Sequence, residues 1–282
     1  MNKNKIFFIG SVEIGYSVLE TIYQVADVDT IITLPFSRET TTSGFINFEP
    51  LAEKNNSSIV RAGNTNTKEI ISLIKLAMPD LIIVCGWQRL ICEEILNIPR
   101  LGTIGFHSSL LPKYRGRAPV NWAIIMGEKE TGITMFYLTP NADDGDIIAQ
   151  KSFPILMNDD CNTIYKKSAK AGQELIKQYL PFILTQTAPR IHNPSKSYPS
   201  YPKRTPEDGE IDFNRSALDI YNFIRALTKP YPGAYFFDNN GIKYIAWKAI
   251  ILMNNSDEKK DKFIFDTLDF KIQITEYEEV TK

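Results

Sequence analysis

His107 closes a short apolar run, TIGFH, and two hydroxyl residues, Ser108 and Ser109, follow it at once. Imidazole changes charge near neutral pH, so a histidine in this place can take up and return a proton. Further on, Asp143 and Asp144 lie in the turn-like run NADDGD and offer carboxylates that could orient or charge-stabilise that ring. Between them stand Lys113, Arg115 and Arg117, separated by Tyr114 and Gly116. Three cations on one run suit an anionic ligand, and Gly116 permits a tight backbone. By type these residues describe an acid–base centre beside an anion-binding strip. They also describe a structural histidine and a solvated basic loop, and residue types alone do not separate the two.

The rest of the composition narrows the choice. The chain has 282 residues, 43% hydrophobic and 23% charged, which is enough for one large domain or two smaller ones. Its formal net charge is −1, and the stretch 257–282 is more acidic than basic, which argues against a nucleic-acid partner. Only two histidines, far apart, exclude a His-based zinc motif, and no metal is expected. Cys85, Cys92 and Cys161 show no paired spacing and read as the reduced thiols of a cytoplasmic protein. The N-terminal apolar run is too short for a signal peptide, and no stretch is long enough to span a membrane.

The elements that must position His107 and Asp143 follow from hydrophobic patterning. Residues 5–9 (KIFFI), 29–34, Ser58–Arg61, 80–84 (DLIIV) and Thr103–His107 are predicted strands. Residues 11–22, with Ser11 as N-cap, 50–55, 67–78 and 89–96 are predicted helices, the third stopping before Pro79. The alternation predicts an α/β domain: a Rossmann-like, mostly parallel sheet with helices on both faces. Ligands of such sheets bind beyond the carboxyl ends of the strands, where His107 and the run Cys85–Gly86–Trp87 fall. Residues 131–138 and 147–153 read as further strands and 162–184 as a long helix. Residues 187–206 are rich in Pro, Ser and Tyr without periodicity and read as a linker. Beyond it come a helix at 216–227, a hairpin at 234–253 turning on Asn239–Asn240–Gly241, and short strands at 263–277. The expected organisation is a catalytic domain at 1–186, a linker at 187–206 and a small, mostly β domain at 207–282. The strand YIAWKAIIL could pair two chains into a homodimer or serve the core of its own domain.

Three runs in fixed order, HSSLLPKYRG, GITMFYL and ADDGDIIAQ, resemble the formyltetrahydrofolate-dependent formyltransferases. The likeness extends back through PDLIIVCGWQRLICEEIL and resumes in RTPEDGEIDFNRSALDIYNFIRALTKPYPGAYF. It is strongest to the sugar N-formyltransferase branch and more distant to methionyl-tRNA formyltransferase. The resemblance implies formyl transfer from N10-formyltetrahydrofolate to an amine, with His107 as general base or oxyanion donor and Asp143 holding its tautomer. It places the folate near Gly86, Trp87, Gln88, Arg89, Leu90 and Ile91, with Asp144 beside the catalytic position. It implies a dTDP- or UDP-linked amino sugar as acceptor, with Ser108, Ser109, Lys113, Arg115, Gly116, Arg117, Lys203, Arg204 and Arg225 as candidate contacts.

One position departs from the pattern. The family keeps an asparagine two residues before the histidine, and this chain has Gly105. An amide there would steady the oxygen that gathers negative charge, and glycine cannot. Three readings follow: Gln88, Ser108, Asn121 or a water fills the role; the chain is a slow or non-catalytic binder; or the glycine is a deliberate substitution. An acceptor of another kind, such as methionyl-tRNA, is the alternative substrate.

Overall fold

The structure, a computed structural model, describes residues 4–253 and 263–280. The chain divides into two compact units. The first takes Met1–Gly116, Gly132–Phe153 and Lys166–Ser200; the second takes Arg117–Thr131, Pro154–Tyr165 and Tyr201–Lys282.

The first unit is built on seven strands: β1 (Ile6–Ile9), β2 (Thr30–Thr33), β3 (Ser58–Arg61), β4 (Leu81–Val84), β5 (Thr103–His107), β7 (Glu130–Tyr137) and β8 (Ile147–Pro154); β6 (Arg115–Gly116) is a two-residue strand outside that sheet. Their order is β3-β2-β1-β4-β5-β7-β8. The first five strands pair in parallel, and β7 joins β5 antiparallel. The fold class is as expected, a mostly parallel sheet with helices.

Successive side chains of a strand point to opposite faces, so a strand covered on both sides must be apolar throughout. In β1, Ile6 and Phe8 enter one core with Leu81 and Ile83 of β4, while Phe7 and Ile9 enter the other with Ile82 and Val84. Helix α1 (Glu13–Ile22) and the long α6 (Cys161–Leu184) cover the first face through Val18, Leu19, Ile22, Leu175, Ile176 and Leu180. Helices α3 (Lys68–Ala77) and α4 (Glu93–Leu96) cover the second through Ile70, Ile74, Ile95 and Leu96; α2 (Glu49–Lys54) adds Leu51 and Ala52 to the first. Thr67 caps α3, its hydroxyl accepting from Ile70 N, and the helix ends on left-handed Met78 before Pro79.

Two expected details differ. Ser11 is not the cap of α1, which starts after Val12; Ser11 is fully buried and donates to the Gly86 carbonyl instead, at 3.1 Å. The helix expected at 89–96 is confined to α4, because 86–92 is held as a loop: Asn66 donates to Leu90 O and accepts from Cys92 N.

In the second unit α5 (Pro119–Ile125) packs on α7 (Ala217–Leu227), with the Asn121 amide donating to Ala226 O at 2.7 Å. After the two-residue β9 (Ser200–Tyr201), strands β10 (Ala234–Phe237), β11 (Lys243–Leu252), β12 (Ile264–Asp266) and β13 (Lys271–Glu279) form an antiparallel sheet in the order β10-β11-β13-β12. Its core joins Phe236, Tyr244 and Phe263 to Ile220 and Ile224 of α7. The two units alternate along the chain. Residues 117–131 and 154–165 group with the C-terminal residues, and 187–200 group with the first unit. No helix among the described residues is long and apolar enough to cross a membrane.

Candidate active site

His107 is the last residue of β5 and is 8% exposed. Its Nε2 lies 2.9 Å from the Tyr114 carbonyl, which can only accept, so Nε2 carries a proton and donates. That contact fixes the ring, and Nδ1 faces Asp143 Oδ1 at 3.6 Å. The tautomer expected to be set by Asp143 is therefore set by a backbone carbonyl, and the carboxylate stands opposite the remaining nitrogen.

Asp143 sits at φ +53°, a left-handed conformation that Asp tolerates better than most residues. Its Oδ2 accepts from Gly116 N at 2.8 Å; Gly116 has φ +101°, the backbone freedom expected of it. Arg115 ties the same place together, donating to Ala142 O at 2.8 Å and Ser195 O at 3.0 Å. Gly145 completes the turn, since a Cβ there would meet Tyr137 O at 1.8 Å. Asp144, expected beside the folate, is held by the Thr139 hydroxyl.

Gly105 lies in β5 opposite Phe136. A Cβ built on it would meet Leu138 Cδ2 at 2.5 Å, so the space beside this glycine already holds an isobutyl group. Of the three side chains that could replace the missing amide, Ser108 Oγ accepts from Ser168, Asn121 is buried on Ala226, and Gln88 is exposed.

A cavity of about 360 Å³ opens in the first unit between α4 and the 137–146 segment, lined among others by Leu96, Asn97, Thr103, Leu138, Asp144 and Arg190. Gln88, Arg89 and Leu90 are exposed, Ile91 is buried, Gly86 has φ +69°, and Trp87 is half-buried against the α3–α4 core. Trp87 Nε1 is buried with no partner among the described residues.

The expected anion contacts separate into two kinds. Lys113, Arg117 and Lys203 are exposed. Ser109 is fully buried, donating to Lys113 O, and Arg115 is engaged as described. Arg204 lies by the rings of Trp122 and Phe223 and donates to Asp208 O. Arg225 is 8% exposed and donates to Asn222 Oδ1, Leu156 O and Asp159 O; burial pushes its pKa below the ordinary arginine value. Arg115 and Arg225 are thus cross-links, and we do not carry them into the substrate set. Arg117, Lys203, Arg204 and Arg225 belong to the second unit, while His107, Asp143, Lys113, Arg115 and Gly116 belong to the first. Among the described residues no cluster of three or more His, Cys, Asp or Glu could hold a metal.

A family model described as formyl transferase matches residues 30–180, and one described as formyl transferase, C-terminal domain, matches 203–277. The chain belongs to the formyl transferase family. It is 36% identical over 250 residues, 88% of its length, to the bifunctional polymyxin resistance protein ArnA of Wigglesworthia glossinidia brevipalpis, and spans 38% of that relative. It is 35% identical over 269 residues to methionyl-tRNA formyltransferase of Clostridioides difficile strain 630, covering 94% of this chain and 85% of the relative. A solved structure of WlaRD, a sugar 3N-formyl transferase in the presence of dTDP and 5-N-formyl-THF, superposes with a TM-score of 0.72 and 22% identity over 100% of both chains, a likeness of fold.

Sequence reasoning about this formyltransferase missed two contributors. The Tyr114 carbonyl has no signature in residue types. Asn193, read as part of a linker, donates to Asp143 O and Gly145 O, and only the unremarkable dipeptide Asn193–Pro194 marks the spot.

Proposed function

We propose that the formyltransferase moves a formyl group from N10-formyltetrahydrofolate to the amine of a dTDP- or UDP-linked amino sugar. The observation that carries the reading is the fixed imidazole of His107, with Nε2 engaged on Tyr114 and Nδ1 turned to Asp143. The cavity beside α4, with Leu96 and Leu138 next to Asn97 and Asp144, suits a flat heterocycle that is apolar on its faces and polar at its edge. When bound, the folate supplies an activated formyl carbon and leaves with the electron pair of the broken C–N bond.

The chain's own residues manage the protons. The amine loses one as its new bond forms, and Nδ1 of His107 is the ring nitrogen able to accept it. Asp143 balances the resulting imidazolium, and the same proton is returned to the departing nitrogen. Of the expected anion contacts that belong to the first unit, Lys113 is the exposed cation, suited to a diphosphate. We extend the proposal to a cytoplasmic enzyme acting on small solutes, with the second unit able to pair two chains.

Gly105 brings no donor to the developing oxyanion, and the exposed amide of Gln88 is the side chain free to replace it. Initial rates with both substrates test the reading. Gly105→Asn alone must displace Leu138, so the informative variant is Gly105→Asn/Leu138→Ala. An oxyanion donor is worth on the order of 100- to 1000-fold in rate, and a gain of that size is expected in the double variant. An unchanged rate there would show that another group already fills the role. Tight folate binding by calorimetry without product over hours would favour a binder instead.

A second acceptor has an observation in its favour: the relative matched over 94% of this chain is a methionyl-tRNA formyltransferase. The net charge of −1 speaks against a tRNA ligand. Formylation of amino-sugar nucleotides is expected to exceed that of charged initiator tRNA at equal enzyme; the reverse ratio overturns the sugar assignment.

A further inference from the structure

We infer that residues 190–195, which lie outside both matched family segments, are a strap that sets the position of Asp143, with Asn193 as its positioning residue. The inference rests on the reading of Asp143 as the partner of His107. The turn holding Asp143 follows no regular ladder, so its carbonyls need donors from elsewhere. Three of them are supplied by two side chains. Arg115 donates to Ala142 O at 2.8 Å, and Asn193 Nδ2 donates to Asp143 O at 3.0 Å and Gly145 O at 3.3 Å. Asp143 is thereby held at both ends: Gly116 N grips its carboxylate and Asn193 grips its own carbonyl.

The strap is itself anchored on both sides of Asn193. Ile191 exchanges two backbone hydrogen bonds with Ile147, the first residue of β8, at 2.8 and 2.9 Å. Ser195 O accepts from Arg115 at 3.0 Å, so one guanidinium bridges strap and turn. Asn193 is 3% exposed, and its Oδ1 is buried without a partner among the described residues. Leaving an acceptor unmatched is unfavourable, and an apolar residue would avoid that cost. The residue is therefore placed for its two donated bonds. The aspartate that must stay beside Nδ1 of His107, 3.6 Å away, is held by a segment distant in sequence, and a misplacement of about 1 Å in such a group is enough to slow a reaction.

Two measurements test this on the intact chain. The first is amide hydrogen exchange. Asn193→Ala is expected to lose protection at 142–147 and little elsewhere; unchanged exchange there overturns the strap. The second is kinetic. Asn193→Ala should lower kcat about 10- to 100-fold with KM for folate and acceptor within about twofold. Asn193→Asp, the same shape but with a carboxylate facing two carbonyls, should be slower still. Ile176→Val, a cavity in the core under α6, controls for lost stability: it should lower the melting temperature and leave kcat alone. If the Asn193 variants behave as that control does, losing melting temperature while kcat stays unchanged, the positioning role is wrong. If Asp143→Ala keeps full activity, the reading of Asp143 fails, while the strap still stands or falls on the exchange data.

Discussion

The turn that carries Asp143 and the loop at 86–91 belong to the same unit, and they are held in opposite ways. The turn is gripped along its length: Arg115, Asn193, Gly116 and Thr139 each bond to it, and Gly145 presses against Tyr137 O. Among the described residues the loop's hydrogen bonds lie at its ends, from Ser11 to Gly86 O and between Asn66 and Leu90 O and Cys92 N; Trp87 packs on the α3–α4 core, and the side chains of Gln88, Arg89 and Leu90 stand exposed. A group that moves a proton needs a fixed distance to its partner. A group that receives a ligand needs unengaged donors and room to adjust. The difference teaches that cations near a site divide the same way: Arg115 is scaffold and Lys113 is surface.

The comparison can be broken or sharpened in order of expected effect. His107→Ala should reduce kcat on the order of 1000-fold, whereas Arg89→Ala in the loop should change kcat far less and act on folate KM. Equal losses in kcat would erase the distinction between the regions. Gly145→Ala puts a Cβ 1.8 Å from a carbonyl oxygen and should cost about 3 kcal/mol in denaturant unfolding, with loss of activity. Gly86→Ala meets the Val12 side chain at 2.6 Å with φ +69° and should cost about 1–2 kcal/mol. Arg115→Lys cannot bridge two carbonyls with one planar fork, so kcat should fall about tenfold, while Lys113→Ala should raise acceptor KM only. Asn66→Ala frees the far end of the loop, and a severalfold rise in folate KM with kcat unchanged is expected. A kcat effect there would mean that the loop is also part of the scaffold.

Much of this was legible in advance. The buried strands β1 and β4 are continuous apolar runs, and such runs announce a sheet covered on both faces. The helix α3 declared itself by spacing, by Thr67 and by Pro79. Helix α5 escaped because Pro119–Ile125 is a short run without a polar face. The segment 187–200 escaped for a related reason: it forms almost no repeating structure, so its order comes from single long-range bonds such as Asn193 to the Asp143 turn, which leave no period in the sequence.

By itself the sequence determined the parallel sheet, the placing of His107 at a strand end, and the absence of a side-chain donor at Gly105, because these depend on local pattern and residue type. Tertiary structure alone decided that the imidazole is fixed by the Tyr114 carbonyl, that Asp143 stands 3.6 Å from Nδ1, and that Arg115 and Arg225 are turned inward. Those facts depend on which distant backbone groups lack partners when the chain packs. A buried carbonyl must find a donor wherever in the chain that donor happens to lie.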